Sequence, residues 1–355
     1  MLFEVTPNDR HIYESGLKDF LPEKMIDVHC HVWRNADRDN EYISTHETVQ
    51  RTVSWPGLVA AEDPIEDLEE TYRLMFPDKK VTPLFFSTTC KGSMKAMNEY
   101  CKAAMKDRGY PALYFSKPDE SPEELEYELI TGGWYGIKGY LDLSPEYLPE
   151  PEIRIFDFFP PAQLEVLNKL KMIVMLHIPR PKRFRDPVNI AQIIEIKERW
   201  PDIKLVIAHI GRAYCQSDVG DAFEKLAASR ACDNLMFDFC ANTNRYVMKQ
   251  LLEAVGTKRV MWGTDLPITR MRMRRIEENG TYINLIPPGL YGDPSVDPHL
   301  REVPAEEADR ITFFMYEELM AMKWAMEQTG HTSEEDRKDI FFGNAAKLIG
   351  MKGLE

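Results

Sequence analysis

The chain lacks several features that would place it in a large class of proteins. No apolar run approaches the roughly 20 residues that span a bilayer, and the polar start MLFEVTPNDRHIYESG differs from a signal or transit peptide. Positive charge is scarce, because 44 lysines and arginines face 58 aspartates and glutamates, a formal net charge of −14. Such a surface repels nucleic acids and anionic membranes, so we expect neither as a partner.

Two kinds of local motif are also missing. None of the six cysteines lies in a CxxC pair, and in a chain of 355 residues such cysteines are typical of reduced, buried thiols in a cytoplasmic protein. No GxGxxG follows the first apolar run, and no GxxxxGK[ST] occurs. The sequence therefore gives no support for a phosphate-binding loop.

What the sequence does contain is an alternation of strand-like apolar runs and helical patterns. Near-continuous runs such as MIVMLHIP, 172–179, indicate parallel strands that are buried on both faces. We predict eight strands, at 25–32, 81–88, 111–116, 136–143, 172–178, 204–210, 234–240 and 259–264. Eight such units, most followed by a helix, favour a (β/α)8 TIM barrel over an open doubly wound sheet.

The domain organisation follows from this count. We expect a single domain over 1–355, with the barrel at about 25–267, a capping insertion at 268–305 and C-terminal helices at 306–355. A second polar excursion at 33–60 is too long for a simple connector, and long ordered loops are usually functional. Both excursions are predicted to lie over the C-terminal rim of the barrel.

The first predicted strand, KMIDVHCHV, ends in two histidines separated by one residue. Side chains alternate faces along a strand, so His29 and His31 point to the same side, with Asp27 below them as a buried acceptor. Two neutral imidazoles on one face can reach a single cation. Alone, the pair is equally consistent with a satisfied core feature.

Residue types that bind metals end other predicted strands as well. His177 follows MIVML on strand five, His209 follows KLVIA on strand six, and Asp265 follows VMWGT on strand eight. The reactive groups of barrel enzymes lie at the C-terminal ends of the strands. Four of the eight histidines thus fall on one rim, which predicts a metal centre there.

The same residues carry a resemblance to a known family. IDVHCHV, LHIPR, IAHIGR, WGTDLP and FFGNAAKLIGM, spread from about 25 to 351, resemble motifs of the amidohydrolase superfamily, in its amidohydrolase-related branch of metal-dependent hydrolases and decarboxylases. The resemblance implies a distorted TIM barrel with one or two divalent ions, most often zinc. We expect one ion rather than two, with Mn²⁺ or Fe²⁺ as alternatives to Zn²⁺.

Carried onto this chain, the resemblance assigns His29, His31, His177 and Asp265 as metal ligands and His209 as a catalytic group. Three imidazoles and one carboxylate leave a position open for water, whose pKa the ion lowers. Asp265, if weakly bound, would also be catalytic, taking a proton from that water or delivering one to the substrate.

Lys138, in GIKGY on strand four, is open to different interpretations. In binuclear members of the superfamily a lysine of strand four is carboxylated and bridges two ions. In the branch that this chain resembles, a lysine in a GxK sequence is common without bridging. It would then pair with a substrate carboxylate or face a helix. We expect Lys138 to bind the substrate.

Basic and aromatic residues near the predicted rim point to an anionic small molecule as the substrate. Arg180 and Arg212 each follow a predicted site histidine, and a guanidinium can bind a carboxylate through two parallel hydrogen bonds. Trp33, shortly after the first strand, would line the same pocket. Each of the three is equally consistent with an ordinary loop residue. The run RMRMRR, 270–275, is expected to pair with acids at the surface.

Two reactions are compatible with this site. Our first hypothesis is a hydrolase, in which metal-activated water attacks an amide, ester or lactone carbonyl polarised by the metal and His209. The alternative is a nonoxidative decarboxylase of an aromatic or unsaturated carboxylic acid, in which Asp265 or His209 protonates the carbon that loses CO2. Hydration of an unsaturated diacid would be a third use. A homo-oligomer is expected from the resemblance only.

Overall fold

A ring of eight short strands forms the centre of the computed structural model, which describes residues 2–41, 56–89 and 93–351. The strands are β1 Lys24–His31, β2 Lys80–Phe86, β3 Tyr114–Phe115, β4 Gly136–Gly139, β5 Ile173–Leu176, β6 Lys204–Ile207, β7 Met236–Asp238 and β8 Val260–Met261. β1 pairs with β2, and β3 to β8 form one six-stranded sheet in sequence order. Every neighbouring pair within these two sheets is parallel.

Isolated bridges close the ring at the two seams between these sheets. Phe85 of β2 bridges to Ala112 just before β3, and Cys30 of β1 bridges to Leu266 after β8. Both bridges are parallel, like the pairs inside the sheets. The strands therefore form a closed (β/α)8 barrel, and the prediction of a TIM barrel is confirmed.

All eight predicted strands are present, but their hydrogen-bonded pairing ends at earlier residues than predicted. The fourth was expected to reach residue 143 and ends at Gly139, and the eighth was expected to reach residue 264 and ends at Met261. The residues that follow remain buried, so the apolar pattern continues past the point where the ladder stops. Those buried but unpaired residues carry the candidate site.

Helices surround the ring, and several of them begin and end with ordinary capping chemistry. The backbone N–H of Glu124 donates to the Ser121 hydroxyl, and the Glu124 carboxylate accepts from the Ser121 N–H, as the capping box predicts. None of the described helices is both long and apolar enough to cross a membrane. The α-helices are Pro7–Ile12, Pro56–Val59, Ile65–Met75, Met94–Arg108, Pro122–Gly132, Pro161–Leu170, Pro187–Arg199, Ala222–Ala227, Arg245–Val255, Phe314–Thr329, Glu334–Lys338 and Asn344–Ile349.

The excursion at 268–305 folds as a small sheet. Its strands are β9 Arg274–Glu278, β10 Thr281–Ile286 and β11 Leu300–Glu302, with β9 antiparallel and β11 parallel to the central β10. The ring of Tyr282 lies 5.3 Å from that of Tyr214, which follows β6. Arg275 Nη1 donates to the carbonyl oxygen of Ala241, which follows β7, at 2.8 Å. The small sheet therefore covers the C-terminal rim at strands six and seven.

Two sequence-based expectations are limited by the extent of the described residues. Residues 42–55 of the excursion at 33–60 lie outside them, as does Cys90. The other five cysteines, Cys30, Cys101, Cys215, Cys232 and Cys240, are all free and buried. The prediction of reduced, buried thiols is confirmed for these five.

Candidate metal and catalytic site

His29 and His31 lie at the end of β1 in the barrel mouth, and a hydrogen bond at Nδ1 orients each ring. His29 Nδ1 lies 3.0 Å from Asp238 Oδ2, and His31 Nδ1 lies 2.8 Å from the carbonyl oxygen of Ser87. An acceptor at Nδ1 places the proton on that nitrogen, so Nε2 of each ring keeps a lone pair. Both rings can therefore bind a cation through Nε2.

Asp265, after β8, brings a carboxylate to the same two nitrogens. Its Oδ1 lies 3.3 Å from His31 Nε2 and 3.6 Å from His29 Nε2. Burial raises the pKa of Asp265, but the close contact with the His31 ring and the nearby imidazoles of His209 and His29 bring it below its usual range. The ligand atoms of the three residues lie within 4.8 Å of one another. An ionised carboxylate with two imidazoles is a donor set that suits a divalent ion.

His177 and His209 reach this cavity from the ends of β5 and β6. Their ring centroids are 5.3 Å apart, and the ring of His209 is 4.8 Å from that of His29. His177 Nδ1 is buried and has no hydrogen-bond partner among the described residues. Buried polar atoms rarely lack a partner, so this nitrogen also fits a bound ion. His177 is nevertheless outside the compact set of His29, His31 and Asp265.

The His209 ring is oriented by contacts at its Nδ1. That atom lies 2.9 Å from the carbonyl oxygen of Cys240 and 3.1 Å from Cys240 Sγ. The carbonyl can only accept, so Nδ1 donates to it and Nε2 keeps its lone pair. Burial lowers the pKa of His209, which keeps the ring neutral. A neutral ring in this tautomer accepts a hydrogen bond or a proton at Nε2.

Sequence reasoning missed Asp238 and Cys240, at and just beyond the end of β7. Asp238 Oδ1 accepts from the backbone N–H of His209 at 2.7 Å and from Cys240 Sγ at 3.0 Å, while Oδ2 lies beside the His29 ring. Burial raises the pKa of Asp238, but His29 and His209 together bring it down to about 2. Cys240 also forms a second group of possible ligands with the two histidines. The available signal was NLMFDFCA, which places both residues at a strand end.

Lys138 of β4 is fully buried inside the barrel, and its ammonium group faces the histidines. Nζ lies 3.5 Å from His29 Nε2 and 4.6 Å from the centre of the Tyr140 ring. Burial lowers the pKa of Lys138 to about 8. The Tyr140 hydroxyl lies 3.4 Å from His31 Nε2, and sequence reasoning missed this tyrosine as well.

Three neighbouring strands end in residues with a left-handed backbone. His209, Ala241 and Asp265 have φ of 55°, 49° and 57°, and all four residues of 209–212 have positive φ. Each non-glycine residue with this left-handed backbone conformation costs about 1–3 kcal/mol and is stable only where the surrounding structure imposes it. Ala241, for example, donates its N–H to Glu318 Oε2 at 2.6 Å. This strain is concentrated where the candidate catalytic residues lie.

Two glycines permit the close approaches at this rim. A Cβ at Gly263 would lie 2.7 Å from His29 Cβ, so β8 could not pass the histidine at its present distance. A Cβ at Gly211 would lie 2.5 Å from the Phe184 ring, and its φ of 63° also favours glycine. Both glycines are therefore required by the geometry of the site.

Comparison with protein families gives a match to the amidohydrolase model Amidohydro_2 over residues 26–351. The chain belongs to this family. Its membership confirms the resemblance inferred from the sequence motifs and the expectation that the protein is an enzyme. No curated protein sequence matches this amidohydrolase significantly.

Solved structures of the same fold include proteins with different reactions. A zinc-bound amidohydrolase from Burkholderia multivorans has a TM-score of 0.53 and 13% identity, over 92% of this chain and 99% of that one. For 4-oxalomesaconate hydratase from Rhodopseudomonas palustris the values are 0.56 and 17%, over 92% and 95%. For a manganese-bound dihydroxybenzoic acid decarboxylase from Polaromonas sp. JS666 they are 0.53 and 14%, over 94% and 98%. These similarities support the fold.

Two residues that were expected to bind the substrate of this amidohydrolase have other contacts. Arg180 Nε lies 3.0 Å from Asp186 Oδ1, in an ion pair within the loop that follows β5. Trp33 is 4% exposed, and its Nε1 donates to the carbonyl oxygen of Ala61 at 3.1 Å. Arg180 thus stabilises the loop after β5 by a contact within it, and Trp33 connects the segment after β1 to Ala61.

Arg212 does lie beside the site, at the end of the left-handed turn 209–212. Its Nη1 donates to the carbonyl oxygens of Ile178 and Pro179, at 3.2 and 3.0 Å. Burial and the charge of Arg212 together lower the pKa of His177 well below its ordinary value. The guanidinium is thus anchored next to the site histidine of β5.

Proposed function

We propose that this amidohydrolase is a metal-dependent hydrolase that cleaves an amide, ester or lactone bond of a small, carboxylate-bearing molecule. The observation that carries the proposal is the convergence of His29 Nε2, His31 Nε2 and the Asp265 carboxylate on one buried point. The opposite nitrogen of each ring is fixed by its own acceptor, which is the arrangement that orients histidine ligands.

His29, His31, Asp265 and His177 would hold the ion. A donor set of nitrogen and carboxylate oxygen suits Zn²⁺, with Mn²⁺ and Fe²⁺ as alternatives, and we propose one ion for each chain. The zinc and manganese in the two related structures support a divalent ion. When bound, such an ion lowers the pKa of a water molecule and polarises a carbonyl group.

The protein's own residues would move the protons. The ionised Asp265 carboxylate would accept a proton from the attacking water. His209 was expected to polarise the substrate carbonyl, but its Nδ1 donates to the Cys240 carbonyl and leaves a lone pair on Nε2. We therefore assign His209 as a second acceptor, which would orient the water or hold the proton. After protonation it would return that proton to the leaving group.

The substrate carboxylate would lie against Arg212. Only Nη1 of this guanidinium has a partner among the described residues, so Nε and Nη2 are left to bind an anion. Lys138, whose Nζ lies 3.5 Å from His29 Nε2, would add a second positive charge. We propose that these two residues, rather than Arg180 or Trp33, bind the substrate.

Decarboxylation is the second candidate, favoured by the manganese-bound decarboxylase among the structures of the same fold. That reaction needs a group that protonates carbon, and Asp265 is held in its ionised form in the free protein. Lys138, whose pKa burial lowers to about 8, would be a protonated donor at neutral pH. Release of CO2 from an aromatic acid would identify this alternative.

The first test is metal stoichiometry together with product analysis. Protein purified without chelators and supplied with Zn²⁺ is expected to bind about one ion for each chain and to hydrolyse at least one member of a panel of carboxylate-bearing esters, lactones and amides. The His31→Gln variant is expected to lose both the ion and the activity. The measurements are elemental analysis of the desalted protein, pH-stat titration of the acid released, and CO2 detection in parallel.

A matched control is His331→Gln, just after the helix Phe314–Thr329. His331 Nδ1 lies 3.6 Å from Asp336 Oδ1, and the residue belongs to neither group of possible ligands. This variant should keep both metal and activity. About two ions for each chain would instead indicate a carboxylated Lys138 bridge, and absence of any bound Zn²⁺ or Mn²⁺ would contradict the proposal.

A further inference from the structure

The arginines of the run 270–275 fall into two groups. Three of them pair with acids: Arg270 with Asp63 at 2.8 Å, Arg272 with Asp9 at 2.7 Å and Arg274 with Glu317 at 3.1 Å. Pairing with acids was expected, although two of these acids, Asp9 and Asp63, are buried rather than at the surface. The fourth, Arg275, has no carboxylate within ion-pair distance in the described part of the chain.

Arg275 is enclosed by aromatic rings. Its Cζ lies 4.7 Å from the Tyr214 ring centre, 4.6 Å from Tyr282 and 4.7 Å from Phe314. Nε donates to Asn284 Oδ1 and Nη1 to the Ala241 carbonyl, each at 2.8 Å. Nη2 has no hydrogen-bond partner among the described residues, so one edge of the guanidinium is free.

Within the described residues this charge is stabilised by ring faces and two hydrogen bonds, but no carboxylate neutralises it. Arg183 lies on the same two tyrosines, 5.0 Å from the Tyr214 ring centre, but its Nη1 is neutralised by Asp218 at 2.6 Å. A partly buried cation without a counter-charge loses hydration, and an apolar side chain of similar length would fill the aromatic enclosure without that cost. Burial also lowers the pKa of Arg275. Packing alone therefore does not account for an arginine at this position.

The enclosure is continuous with the candidate site through Tyr214. The ring of Tyr214 lies 6.4 Å from that of His209, and its hydroxyl has no partner within the described ranges. Arg212 is two residues earlier in the chain, on the same turn. Tyr214 thus contacts both the Arg275 guanidinium and the ring of His209.

We propose that Arg275 and Tyr214 form a second anion subsite at the rim, separate from the metal ligands and Arg212, and that the substrate therefore carries at least two anionic groups. This inference rests on the proposed function, since it names the substrate class of the same site. A hydrogen bond to a charged group is stronger than a neutral one, so the subsite would discriminate diacids from monoacids.

The experiment compares binding of mono- and diacids. Zn²⁺-loaded protein is titrated calorimetrically with benzoate and with benzene-1,2-, 1,3- and 1,4-dicarboxylate as probes. At least one diacid is expected to bind roughly tenfold more tightly than benzoate, as one charge-assisted contact implies. Arg275→Met should abolish that preference and leave the benzoate Kd unchanged. Arg275→Lys, which keeps the charge but loses the contact with Ala241, should retain part of it.

Arg274→Met is the matched control, because Arg274 is next to Arg275 in the chain but is half-exposed and paired with Glu317. It should keep the full preference for the diacid. The inference is overturned if no diacid binds more tightly than benzoate, or if Arg275→Met weakens both probes equally. The Arg275-dependent preference is also expected in protein stripped of metal, so it can survive even if the proposed hydrolysis fails.

Discussion

The outer helices and the C-terminal rim of this barrel follow different local rules. The helix Pro122–Gly132 begins at the capping residue Ser121 and ends before Gly133, where positive φ falls on a glycine. At the rim, positive φ falls on His209, Ala241 and Asp265, where it is strained. The difference indicates that stability is supplied by the outer layer, while the rim retains unfavourable geometry that serves the site. Substitutions in the outer layer and at the rim test whether stability and function are separated in this way.

The largest effect is expected away from the site, at the ion pair between Arg272 and Asp9. Arg272 donates to both oxygens of Asp9, at 3.1 and 2.7 Å, and the Asp9 side chain is completely buried. Arg272→Met would leave that carboxylate without its counter-charge, which costs about 3–5 kcal/mol in the free energy of unfolding. Urea denaturation at pH 7 measures the loss, and Zn²⁺ affinity should be unchanged.

The pH dependence of this loss has a defined sign. Burial raises the pKa of Asp9, but the bonds from Arg272 and Thr312 outweigh burial and lower it below the ordinary 3.8. Its ionised form therefore stabilises the fold above about pH 4, and the contribution disappears as pH falls through the lowered pKa. The difference in free energy of unfolding between wild type and Arg272→Met should therefore become smaller as pH falls below about 4. Arg301→Met, at an exposed pair with Glu278, should cost at most about 1 kcal/mol.

A smaller effect, on function rather than stability, is expected for Asp238→Asn. Asp238 orients His29 and the backbone of His209, and removing such a partner of a ligand typically lowers metal affinity about 10–100-fold. Replacing a buried carboxylate with a neutral group offsets part of the lost hydrogen bonding. The unfolding free energy should therefore fall less than in Arg272→Met. Competition of Zn²⁺ with a chromogenic chelator gives the affinity.

The control for this prediction is Asp202→Asn. Asp202 is about half-exposed, and its carboxylate lies 3.6 Å from Lys171 Nζ. Neither metal affinity nor stability should change measurably, since exposed pairs contribute little. If Asp238→Asn instead lowered the free energy of unfolding as much as Arg272→Met and kept its Zn²⁺ affinity, the rim would be a stability element and the comparison would be reversed.

Candidate site residues could be predicted from the sequence when a metal-binding residue type stood at the end of a predicted strand. His29, His31, His177 and His209 stood out because histidine is unusual at the end of an apolar run, and barrel strands place such residues on one rim. Asp238 was missed because nothing in its strand suggested a partner for His29, which is 209 positions earlier. Hydrogen-bond partners across the barrel depend on strand order and tilt, which periodicity does not encode.

Loop contacts and backbone strain were beyond sequence reasoning for related reasons. Trp33 is fixed by the carbonyl of Ala61, and any residue type at position 61 would offer the same acceptor. The left-handed turn 209–212 contains only one glycine, so the usual signal for positive φ is absent from its other residues. Tertiary contacts impose both features.

The smallest predicted effect is Ser121→Ala at the start of Pro122–Gly132. Losing the capping hydroxyl should lower the unfolding free energy by about 1 kcal/mol, whereas Ser15→Ala, whose exposed hydroxyl only donates to the His11 carbonyl, should change it by less than about 0.5 kcal/mol. This helix leads directly into β4, which carries Lys138 beside His29. A cap defect that reached the site would therefore perturb Zn²⁺ affinity through that lysine. An unchanged affinity in Ser121→Ala would mean that the barrel ladder isolates the rim from its outer layer along this short connection.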